Sequence, residues 1–65
     1  MKDPATNAKL EALRMRLVDA QRRLILEAAE LAFLPPDGAL QKIAVLESVI
    51  AATEVMIEET DRVTQ

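Results

Sequence analysis

The run Leu34-Pro35-Pro36-Asp37-Gly38 decides the fold. It is the one place where helix-breaking residues cluster between two long stretches of helical apolar spacing. Proline lacks an amide donor and its ring clashes with the preceding turn, so Pro35-Pro36 ends any helix arriving from upstream. Asp37 is expected to cap a following helix by accepting amides of its first turn. Gly38 is expected to let the backbone turn without a Cβ penalty. The chain should therefore fold back on itself here.

Upstream, Asp3-Pro4 has the pattern of an N-cap followed by a first helical residue, with Thr6 as a second possible cap. No Gly or Pro follows until Pro35, which predicts a helix over about 4–34. Leu10, Leu17, Leu24 and Leu31 recur every seven residues, and Leu13, Ala20, Glu27 and Leu34 lie three positions after each. These two rows are the expected a and d positions of a coiled-coil seam. Glu27 is then the one charge among them, at the edge of the seam. Val18, Ile25 and Ala32 form a second stripe, and Leu26 and Phe33 widen the apolar surface near the turn.

Downstream, Ile43, Ile50 and Ile57 keep the same seven-residue spacing, with Leu46, Thr53 and Thr60 three positions after each. A flanking stripe runs Val45, Val49, Ala52, Met56 and Val63, while Glu47, Glu54, Glu58 and Asp61 form the polar line. The β-branched residues suit a strand, but a period near 3.5 rather than 2 predicts helix, over about 39–62. The terminal Val63-Thr64-Gln65 is expected to fray.

A turn at 35–38 admits only an antiparallel neighbour, so the expected fold is all-α, a single two-helix hairpin over 1–65. Centred on Pro36 and Asp37, it sets residue i opposite roughly residue 73 − i. Arg14 and Arg16 then approach Glu58 and Glu59, Arg22 and Arg23 approach Ala51 and Glu54, and Glu30 approaches Lys42. The parallel alternative brings Glu27 and Glu30 toward acids instead. A leucine-rich closed end is expected around Leu31, Phe33, Leu34, Leu40 and Ile43, with the core thinned by Thr53 and Thr60 toward the open end.

Composition excludes several chemistries within the chain. It has no Cys, His, Trp or Tyr and a single Ser, Ser48. Disulfides, thiolate metal sites, imidazole acid–base chemistry and Ser-His or Cys-His nucleophiles are therefore impossible. Absence of Cys fits a reducing compartment. A hydrophobic fraction of 51% argues against a disordered polar chain, and no uncharged run approaches a bilayer span. Net charge is −3, which gives no global attraction to nucleic acid or an anionic membrane. The segment Met1–Asn7 has no apolar core, so it does not read as a signal peptide, and a cytoplasmic location is the expectation.

The arginines Arg14, Arg16, Arg22 and Arg23 form the one candidate nucleic-acid contact, but pairing with the acidic second helix is the expected use of them. No aromatic residue interleaves them. Glu47, Glu54, Glu58, Glu59 and Asp61 read as a solvated or ion-paired face, since the Glu-x-x-His of bundle metal sites needs a His. Met15 and Met56 are expected to pack as ordinary apolar residues. No enzyme, cofactor, metal or small-molecule substrate is expected.

What remains is surplus apolar surface. Each helix carries more than one apolar stripe, and one stripe suffices to close a hairpin. Leu17, Val18, Leu24, Ile25, Val45, Val49 and Met56 are the expected partner-binding residues. The partner is the chain itself, as a homodimer or higher four-helix bundle, or another helical protein.

Two resemblances accompany this reading. In architecture alone the chain is similar to Rop-type proteins, and that resemblance implies assembly of hairpins into a four-helix bundle; a dimeric Rop-like RNA-binding regulator is the alternative function. Val45-Leu46-Glu47-Ser48-Val49-Ile50-Ala51 is similar to the Leu-Glu-Ser-x-Ile run in the second helix of YscE/PscE-type co-chaperones of type III secretion. That resemblance implies packing on a TPR-like chaperone that keeps needle subunits unpolymerised. A small phage-type structural protein is a further alternative.

Overall fold

The computed structural model describes residues 4–63 and contains two helices, α1 (Pro4–Ala29) and α2 (Asp37–Val63), packed side by side as an antiparallel hairpin. The molecule is a rod of 50 × 14 × 14 Å. The Asp3 cap and the Thr64-Gln65 tail lie outside the described residues.

The first helix stops at Ala29, five residues short of Leu34, and the connection is residues 30–36 rather than 35–38. The amides of Glu30 and Leu31 donate to the carbonyls of Glu27 (3.2 Å) and Ala28 (3.1 Å), so the last turn tightens to i→i−3 bonding. The prolines set only the outer limit of α1, beyond Ala29. Pro35 disfavours helical backbone at Leu34, and its ring blocks the carbonyl of Leu31, four residues back.

The entry to α2 also differs from expectation. The Pro36 carbonyl accepts the amides of Ala39 (3.0 Å) and Leu40 (3.1 Å), so Pro36 occupies the cap position and Asp37 is the first helical residue. Asp37 acts through its charge at the positive end of the helix rather than as the capping side chain. Gly38 lies within the helix, has no positive φ, and faces open space where a Cβ would sit. It is not a turn glycine.

Moving the end of α1 moves the register. The hairpin is centred near Phe33, not near Pro36-Asp37. Gln21 bridges Ile43 and Glu47, and Arg14 reaches Glu54, which places residue i level with about residue 67 − i. Leu10, Leu17 and Leu24 then lie level with Ile57, Ile50 and Ile43. Arg14 lies level with Thr53 and Gln21 with Leu46, so apolar layers alternate with polar ones.

The seam of α2 is Ala39, Ile43, Leu46, Ile50, Thr53, Ile57 and Thr60, the least exposed row of that helix. Its two residue sets match the sequence expectation. The seam of α1 does not. Half-burial on α1 follows Asn7, Leu10, Arg14, Leu17, Gln21, Leu24 and Ala28, while Ala20 and Glu27 are exposed. The leucines keep their place, but the second row lies four residues after each leucine rather than three. Leu13 remains half-buried on the flank.

The best-buried residues are Ile50 (6% exposed), Thr53 (5%) and Ile57 (9%), all on α2; no residue of α1 is buried. The core therefore sits in the half that threonines were expected to thin. The Thr53 hydroxyl donates to the Val49 carbonyl (2.8 Å) and that of Thr60 to the Met56 carbonyl (2.9 Å), which satisfies both within their own helix. The closed end, by contrast, is open to solvent: Phe33 is 70% and Leu34 77% exposed, and Leu31 and Leu40 are exposed too.

Candidate interaction surface

The hairpin has two unlike sides, set by which flank of each seam meets solvent. On one side the polar groups meet. The Gln21 side-chain amide donates to the Glu47 carboxylate (2.8 Å) and the Ile43 carbonyl (3.3 Å). Arg14 donates through Nε to Glu11 (3.3 Å), and its Nη1 lies 4.0 Å from Glu54. Val18 and Ile25 belong to this side, beside that polar row.

The other side is apolar over its middle, and toward the turn the exposed Glu27 and Lys42 continue the rows of Leu13/Ala20 and Val49/Met56. Leu13 and Ala20 of α1 lie beside Val45, Val49, Ala52 and Met56 of α2, all exposed except the half-buried Leu13. Of the expected partner-binding residues, Val45, Val49 and Met56 fall together on this face. Leu17 and Leu24 are half-buried in the hairpin's own seam, and Val18 and Ile25 lie on the polar side. Leu13 and Ala20 lie on this face rather than in the seam, because the second row of α1 follows each leucine by four residues and not three. Met15 and Val55 are exposed elsewhere on the helices, and the side chain of Val63 lies outside the described residues.

The arginines do not all find acids. Arg14 alone reaches α2, at Glu54 rather than Glu58 or Glu59, because the register has shifted. Arg16, Arg22 and Arg23 are exposed and make no ion pair among the described residues. Glu58 pairs within its own helix to Arg62 (2.6 Å). Glu30 belongs to the connection and does not meet Lys42 there.

Among the described residues, no cluster of three metal-ligating side chains is present, and no helix is long and apolar enough to cross a membrane. The surface thus offers an apolar face, an opposed polar face and a row of unpaired cations along α1. No family model, curated protein or solved structure matches the chain.

Proposed function

We propose that this chain is a small non-enzymatic interaction module that buries an apolar helical face by self-assembly or on a helical partner. The observation that carries the reading is the uncovered surface. The chain exposes 5076 Å², whereas a compact monomer of its 7.2 kDa exposes about 4,100 Å². Its radius of gyration is 15.1 Å, against about 11 Å for a globular chain of this length. Within that surface Val45, Val49 and Met56 are 41–56% exposed, and contiguous exposed apolar side chains mark interaction sites. A co-chaperone of a secretion apparatus is one form of this function, suggested by the Val45–Ala51 run. The test is sedimentation and circular dichroism across micromolar concentrations. Helicity that rises with concentration, or only on adding a partner, is the expected result. A monomer that unfolds cooperatively at a concentration-independent midpoint overturns the reading.

A second reading is a dimeric RNA-binding regulator. It is favoured by Arg16, Arg22 and Arg23, which lie exposed on α1 without acidic partners among the described residues. It requires binding to structured RNA that weakens with salt and is lost in Arg22→Glu/Arg23→Glu. No binding at low salt ends it.

A further inference from the structure

We infer that the occupant of the apolar face is a second copy of this chain, joined about a two-fold axis running along the rod, with the two turns at the same end. The inference rests on the interaction reading above and adds the partner, the face and the orientation.

The shape argues for a partner of the same form: the excess of total exposure over a compact monomer of this mass reflects a rod two helices wide, and a second hairpin supplies the missing layer. The face formed by Leu13, Ala20, Val45, Val49, Ala52 and Met56 runs along both helices, so a second hairpin laid on it makes a four-helix bundle.

Charge then selects the orientation. The helix α1 carries five cations and three anions, a net of +2, and α2 carries two cations and six anions, a net of −4. Face-to-face packing of two hairpins permits two symmetric arrangements. With the axis along the rod, each α1 faces the other copy's α2 and every neighbouring pair is antiparallel. With the axis across the rod, α2 faces α2 and α1 faces α1, and the turns lie at opposite ends. The second arrangement sets two helices of net −4 against each other. It also brings Arg16, near the middle of α1, opposite its own counterpart. The first sets each net-positive α1 beside a net-negative α2, with Lys9 level with Glu58 and Glu59 of the other copy.

The turn makes an independent argument for the same choice. Leu31, Phe33, Leu34 and Leu40 are exposed at that end. Turn to turn, they meet their equivalents in the second copy. Reversed, they lie beside Glu58, Glu59 and Arg62. Aligned turns cover apolar surface that reversed turns leave against charge.

The chain has no cysteine, so a single introduced thiol reports on one position. Ala32→Cys places a spin label on the exposed connection, and paramagnetic distance measurement reads its separation in the assembled full chain. Aligned turns give a separation of about 25 Å or less, the width of a four-helix bundle. A dimer with labels separated by about the 50 Å length of the rod overturns the alignment but leaves the interaction reading standing. For the face, Val49→Glu is expected to raise the dimer dissociation constant at least tenfold while Ile25→Glu, on the polar side, leaves it unchanged. The opposite pattern overturns the assignment of the face. A chain that stays dissociated and unfolded until a different protein is added overturns the second copy and keeps the interaction reading. A cooperatively folding monomer removes both.

Discussion

The two helices are close in length, 26 and 27 residues, yet α2 supplies every buried side chain and α1 none. The difference lies in the second row of each seam. In α2, Leu46 and Thr53 alternate with Ile43, Ile50 and Ile57, so both rows pack closely. In α1, Asn7, Arg14 and Gln21 alternate with the leucines, and long polar side chains lift away to reach solvent or Glu47 and Glu54. A row of leucines every seven residues thus locates one edge of a contact; it does not guarantee that the contact is tight.

The sharpest way to break this contrast is truncation on both sides of one layer. Ile50→Ala should cost about 2–4 kcal/mol, enough to abolish most helicity in so small a hairpin, measured by urea denaturation followed by circular dichroism. Leu17→Ala, its half-buried neighbour in register, should cost about half as much in the isolated hairpin. Equal losses would show that α1 is more fully covered in solution than in the isolated hairpin, which points to assembly.

A smaller effect is expected at the polar row. The Oδ1 of Asn7 is buried without a hydrogen-bond partner. Replacing it as Asn7→Leu removes an unpaired acceptor and should raise stability by about 1 kcal/mol, read as a higher melting temperature. Unchanged or lower stability means the acceptor is satisfied in the assembled form.

Gly38 tests the start of α2. An alanine there meets open space and an ordinary helical backbone, so Gly38→Ala should stabilise by about 0.5–1 kcal/mol. Destabilisation would show that the residue turns the chain after all. The smallest change belongs to the cross-helix ion pair. Arg14 and Glu54 are 4.0 Å apart and both partly exposed, so Glu54→Gln should shift stability by less than about 0.5 kcal/mol, and less again at high salt.

Much of the architecture was legible from residue spacing. The helical period of both segments, their antiparallel pairing and the whole seam of α2 follow from Ile43, Ile50 and Ile57, with Pro35-Pro36 between the segments. The exposed apolar face was legible in part, through Val45, Val49 and Met56. Leu13 and Ala20 were not, because three-residue and four-residue offsets from the same leucines are equally helical. Counting Leu34 toward the seam favoured the wrong offset, and Leu34 is not in the helix.

Local chemistry therefore settles helix, turn and direction, since propensity, proline sterics and apolar period act within a few residues. The register, the second row of α1 and the unlike sides of the hairpin are decided across the gap between helices. They depend on where α1 ends, and α1 ends at Ala29, five residues before Leu34. A five-residue shift at one helix end moved every cross-helix pair and left three arginines without the acids that their spacing suggested.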